Sequence, residues 1–129
     1  TTDLFEYELP NIATIDVSFI SLKLIFEPLK DILNDGDDIV ALIKPQFEAG
    51  REDVGKKGIV KDAKIHQRVI ENVISYANEC QFSIQNLTYS PITGGEGNIE
   101  FLAHFKVGGT NSLLQVEQVV QEAHDCFKG

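Results

Sequence analysis

Asp16, Lys44 and Glu100 are the residues of this sequence whose types could move a proton together. A lysine set between two carboxylates has two readings. It can be one member of a structural ion-pair network, or a tuned group that acts on a substrate proton. The three lie 28 and 56 residues apart, so only the fold can make them neighbours.

The elements around them predict that they meet. Ile12 to Val17 is a short apolar, β-branched run, read as a buried strand that ends near Asp16. Leu22, Ile25, Phe26, Leu29, Ile32 and Leu33 recur at helical spacing, with Pro28 predicting a kink or break and Asn34-Asp35-Gly36-Asp37 a closing turn. Ile39 to Ile43 is a second continuous apolar run, ended by Lys44 and Pro45. Continuous runs joined by a helix indicate a parallel sheet with both faces covered. Gln46 to Val60 shows no period and reads as a long loop. Asp62 then caps a helix running to about Cys80, with Ile65, Val69, Ile70, Val73, Ile74 and Ala77 as its apolar stripe.

Phe82 to Ser90 and Ile99 to Val107 read as strands, too close together for a crossover helix, and therefore as an antiparallel pair. Gly108-Gly109 links them to a last amphipathic helix, Ser112 to Phe127, packed on the same domain. The order strand, helix, strand, helix, strand, strand, helix is the back half of a doubly wound α/β sheet. In such a sheet ligands bind beyond the carboxyl ends of the parallel strands. Asp16 and Lys44 sit at those ends, and a strand antiparallel to them starts at the same edge, at Glu100. No G-x-G-x-x-G turn is present. Gly94-Gly95-Glu96-Gly97 precedes a strand rather than a helix and is rejected as a dinucleotide site.

Other side chains point to less. His66 and His124 fall on helices and His104 in mid-strand, none at metal-ligand spacing, so core or surface roles are expected and no metal. Cys80 and Cys126 make no disulfide framework, and each is read as a small hydrophobe ending a helical stripe, in a protein of the reducing cytoplasm.

Composition sets the outer bounds. With 129 residues, 43% of them apolar, the chain suits one globular domain. No apolar run spans a bilayer and no signal peptide opens it, so no membrane partner is expected. It contains no methionine, which predicts that it begins inside a longer polypeptide. A net charge of −9 argues against nucleic acid. That average conceals a basic segment of +3 over residues 44–68, between acidic flanks of −7 and −5. The segment is either a solvated face or a phosphate-binding patch, with Arg51, Lys56, Lys57 and Lys61 as its candidate contacts.

Three segments carry a family resemblance: Asp16-Val-Ser-Phe-Ile-Ser-Leu22, Ile43-Lys-Pro-Gln-Phe-Glu-Ala-Gly-Arg-Glu52 and Ser90-Pro-Ile-Thr-Gly-Gly-Glu-Gly-Asn-Ile-Glu100. Together they resemble the hemolysin-A-type ribosomal RNA methyltransferases, within the FtsJ-like 2′-O-methyltransferase group. The likeness runs from about residue 10 to residue 106. It implies the C-terminal half of a class I, Rossmann-like methyltransferase domain, dependent on S-adenosylmethionine. The implied activity is methyl transfer to a cytidine ribose 2′-hydroxyl of ribosomal RNA, in the free RNA or a ribosomal subunit.

The resemblance also assigns roles. The family's catalytic Asp, second Lys and Glu fall on Asp16, Lys44 and Glu100, the residues that the sheet-edge argument selects. Asp16, Ser18 and Phe19 would lie against the cofactor. The family's first Lys, its Gly-rich cofactor loop and its S4-type RNA-binding domain would precede residue 1, and a chain lacking them is expected to be inactive alone. Two other classes compete with this reading. A cytolysin would need a membrane-inserting segment or cationic amphipathic helix, which the sequence lacks. A silent RNA- or protein-interaction domain would have no use for all three site residues.

Overall fold

A computed structural model of the chain describes residues 12–17, 20–50, 54, 58–93 and 97–127. Its elements in chain order are β1 (Ile12–Ile15), α1 (Leu22–Lys30), β2 (Asp38–Ile43), α2 (Pro45–Glu48), α3 (Ala63–Glu79), β3 (Phe82–Tyr89), β4 (Phe101–Val107) and α4 (Val116–Cys126). The four strands form one sheet in the order β1-β2-β4-β3. β1 and β2 are parallel, and β4 is antiparallel to both β2 and β3. β1, β2 and β3 therefore end at one edge of the sheet, and β4 begins there. This is the mixed α/β sheet of the sequence reading, with β4 inserted beside β2.

The core forms where the helices cover one face of that sheet. Ile39, Ala41 and Ile43 of β2 pair across to Phe105, Ala103 and Phe101 of β4, and all six are fully buried. Val69, Ile70, Val73 and Ala77 of α3 and Phe26 of α1 belong to the same cluster. Phe26 meets Phe82 and Phe105 edge to face, at centroid separations of 5.7 and 5.6 Å. Removing such a ring would cost about 3–5 kcal/mol.

On the other face the described residues are more exposed. β2 alternates half-buried and buried residues, and Ile12 on β1 is 52% exposed. α1, α3 and α4 contribute to the one cluster, while Ile12, Val40 and Leu102, among the described residues of the other face, line a depression of about 420 Å³.

Several boundaries also move, each for a local reason. Ser21 and Asp62 cap α1 and α3, their side chains accepting from the amides of Lys23 and Lys64. Pro28 does not break α1, but the helix ends two residues later, at Lys30 rather than Leu33. β3 carries a register shift between Ile84 and Asn86, which passes the inward parity from Phe82 and Ile84 to Leu87, and Ser83 on the opposite face is buried as well, so strict alternation is lost. Gly108 and Gly109 adopt φ of +77° and +71°, conformations that side chains disfavour, to turn the chain out of β4. The amide of Ser112 donates to the Ile84 carbonyl, holding this stretch along β3, and α4 starts only at Val116. Cys80 is buried as expected, but Cys126 is exposed. The neighbouring Phe127 makes the closing apolar contact instead, with its ring 6.0 Å from that of Tyr89.

Candidate functional site

Lys44 leaves β2 in extended conformation, and Pro45, at the first position of α2, fixes the turn that follows. The Lys44 side chain is 13% exposed and its ammonium lies 2.5 Å from Asp16 Oδ1, just past the end of β1. The Asp16 side chain remains 70% exposed. One side of its carboxylate is thus held by the lysine while the rest faces solvent at the sheet edge.

Glu100 immediately precedes β4 and is 6% exposed. Its backbone carbonyl accepts from the Ser90 amide at 2.8 Å, closing the β3–β4 connection. Its Oε2 accepts from Gln46 Nε2 at 3.0 Å. The fold therefore brings Asp16 and Lys44 into direct contact. It places Glu100 on the same edge, gripped by a residue two positions beyond Lys44. These three residues bring two carboxyl groups and one amine to this edge.

Ser18, Phe19, Arg51, Lys56 and Lys57 lie outside the described residues. Lys61 is exposed, and the residue before it is firmly anchored. The Val60 amide donates to Asn98 Oδ1 at 2.8 Å, while the Val60 carbonyl accepts from His66 Nε2 at 2.9 Å. Asn98 Nδ2 also donates to the Gly58 carbonyl at 2.7 Å. The connection from β2 to α3 is thereby tied to the segment that leads into Glu100.

Sequence reasoning missed two groups here, Glu48 and Gln46, and left a third, His66, open between core and surface. Glu48 accepts from Ser21 Oγ at 2.7 Å and from the Leu22 amide at 2.8 Å, fastening the start of α1 to α2. Burial raises its carboxyl above the usual range, against the lowering effect of those two donors. Gln46 falls in the stretch expected to be loop, since a four-residue helix is too short to show a period. His66 is fully buried, and its Nδ1 lies 2.8 Å from His124 Nε2. Because the Val60 carbonyl can only accept, His66 carries its proton on Nε2, and His124 donates to Nδ1. Burial pushes the His66 pKa down to about 4. Its spacing three and four residues before Val69 and Ile70 puts it on the apolar face, the one signal that could have found it.

Among the described residues no cluster of three or more His, Cys, Asp or Glu could hold a metal ion, and no helix is long and apolar enough to cross a membrane.

Comparison with known proteins agrees with this fold. Residues 2–107 match the family model described as FtsJ-like methyltransferase. YqxC of Bacillus subtilis (strain 168), a protein named as an rRNA methyltransferase, is 49% identical over 130 residues, covering 96% of this chain and 46% of YqxC. The 16S/23S rRNA (cytidine-2'-O)-methyltransferase TlyA of Mycobacterium tuberculosis (strain CDC 1551 / Oshkosh) is 37% identical over 86 residues, 67% of this chain and 32% of TlyA. A solved structure from Streptococcus thermophilus, named as a hemolysin, superposes with a TM-score of 0.88 at 50% identity, over 98% of this chain and 46% of that one. The chain thus spans less than half the length of these relatives.

Proposed function

The chain belongs to the FtsJ-like methyltransferase family, and from that premise we propose that the full-length protein methylates a ribose 2′-hydroxyl of ribosomal RNA, on cytidine, with S-adenosylmethionine as donor. The observation that carries this reading is the Lys44–Asp16 pair, 2.5 Å apart at the carboxyl edge of the parallel strands. The edge fits a donor of this kind. The Asp16 carboxylate is largely open, which suits a ligand that brings a sulfonium and an ammonium. Asp16, with Ser18 and Phe19, would hold that ligand. S-adenosylmethionine supplies a methyl group already activated on positive sulfur, so the hydroxyl proton and the charge of its oxygen are left to this chain.

A ribose hydroxyl is a weak nucleophile until its proton leaves. A neutral Lys44 amine would take that proton, whereas its ammonium would neutralise the oxygen while the proton passes to water. Asp16 fixes the lysine's ammonium from one side, and Glu100 supplies negative charge on the same edge, so little motion is needed once the hydroxyl is in line. The basic segment after α2, with Lys61 exposed and Arg51, Lys56 and Lys57 near it in sequence, would supply the phosphate contacts.

The test uses the full-length protein, ribosomal subunits and a methyl-labelled donor. Lys44→Ala is expected to lower transfer by about a hundredfold or more while donor affinity changes far less. Lys44→Arg should fail as well, because a guanidinium does not accept a proton at neutral pH. A wild-type protein that transfers no methyl group to RNA overturns the reading. An active Lys44→Ala protein reduces the Lys44–Asp16 contact to a structural ion pair.

A further inference from the structure

We propose that Gln46 is a positioning residue of this site, acting through Glu100; the inference rests on the reading of Asp16, Lys44 and Glu100 given above. Glu100 is almost wholly buried, and a buried carboxylate needs donors. Gln46 provides one, with Nε2 3.0 Å from Glu100 Oε2. That bond fixes the orientation of the amide, since the flipped form would set its oxygen against the carboxylate.

The same orientation has a cost. Gln46 Oε1 is buried without a hydrogen-bond partner, the one side-chain atom so placed among the described residues. A buried unpaired acceptor destabilises a fold, and side chains selected for stability alone avoid it. The site's chemistry explains why an amide stands here nonetheless. A lysine or arginine would bring a second cation to the edge and compete with Lys44 for its carboxylates. A glutamate would repel Glu100, and an asparagine would be a methylene too short. Glutamine is the side chain of this reach that donates a proton without adding charge.

Its place in the chain makes the contact useful. Lys44, Gln46 and Glu48 alternate along one short turn around the buried Pro45. Lys44 holds Asp16 at the end of β1, Gln46 holds Glu100 at the start of β4, and Glu48 holds the first turn of α1. One rigid turn thus sets the lysine and, through Gln46, the orientation of the second carboxylate relative to it.

The experiment compares wild type, Gln46→Ala and Gln46→Glu in the full-length protein. Melting temperature and far-UV circular dichroism establish that each variant is folded. Gln46→Ala should lower kcat by about tenfold to a hundredfold, with KM for RNA and for the methyl donor within about twofold. Gln46→Glu should be as slow at pH 8. Its deficit should narrow by about threefold or more at pH 6, where two adjacent carboxylates share a proton and the bond to Glu100 re-forms. A residue that merely supported the fold would show neither the kcat-only loss nor the pH-dependent rescue. Variants that match wild type, lose RNA affinity instead, or show a Gln46→Glu deficit independent of pH overturn the positioning role. If wild type transfers no methyl group, the functional reading itself falls, and this role falls with it.

Discussion

Lowering the pH from 6.5 to 4 should cost this domain about 3 kcal/mol through His66 alone, at about 1.4 kcal/mol for each pH unit crossed. His66 is fully buried between α3 and α4, and burial is the main reason its pKa drops from 6.5 to about 4. The charge of His124 acts in the same direction, while the bond to the Val60 carbonyl and the charge of Asp62 oppose it. The unfolded chain therefore binds a proton at His66 below pH 6.5 that the folded chain refuses until about pH 4. Stability from this group is complete above pH 6.5, declines across the window, and has gone below pH 4. His66→Gln is the informative substitution, because an amide can donate to Val60 and accept from His124 but does not titrate in this range. Urea unfolding at a series of pH values between 4 and 7 gives the measurement. It must be followed by circular dichroism, since the chain contains no tryptophan. The variant should be less stable than wild type at pH 7, and the gap should close by about 3 kcal/mol as pH falls to 4. Curves that stay parallel to within about 0.5 kcal/mol would refute the reasoning, and would mean that water reaches His66.

Glu48→Ala removes two hydrogen bonds from the first turn of α1 and should cost about 2 kcal/mol in the same unfolding experiment. Because burial raises the Glu48 carboxyl above its ordinary 4.5, its stabilising share is largest below that pH and falls as pH rises through the folded value. Glu48→Gln should therefore be less costly at pH 7 than at pH 4, and the opposite order would show that the donors Ser21 and Leu22 outweigh burial. In the full-length protein, Lys61→Ala should weaken RNA binding and flatten the slope of log K against log salt by about one unit or less. Affinity and slope both unchanged would make Lys61 part of a solvated face.

What the sequence revealed and what it hid divide along a physical line. Apolar periodicity reports burial, so it located β2, the long helix α3 and the strand pair β3–β4 to within a few residues. Local capping chemistry is written in the chain too, which is why Asp62 could be read as the start of α3. The site's main elements followed from these. Strand direction alone put Asp16, Lys44 and Glu100 at one edge, and Lys44 indeed touches Asp16 there. The misread features depend on bonds between residues far apart in the chain. Ser112 and Asn111 bond to Ile84, which delays α4 beyond where its stripe begins. The bulge in β3 hides its alternation.

The same distinction bears on how the site is built. Gln46 and Glu48 lie in a stretch with no period, and Asn98 lies among glycines. Yet their side chains bridge 54, 26 and 38 residues, to Glu100, Leu22 and Val60. None of these tethers adds an apolar contact, so none leaves a trace in hydropathy. All three residues fall inside the segments that carry the family resemblance. A short motif around Lys44 can therefore resemble a family for two separable reasons. On the proposed function the lysine serves the reaction, and its neighbours hold the first strand, the last strand and the first helix in fixed relation to it. Substitutions along residues 44–48 should accordingly differ in kind: loss of chemistry at Lys44, loss of alignment at Gln46, and loss of stability at Glu48.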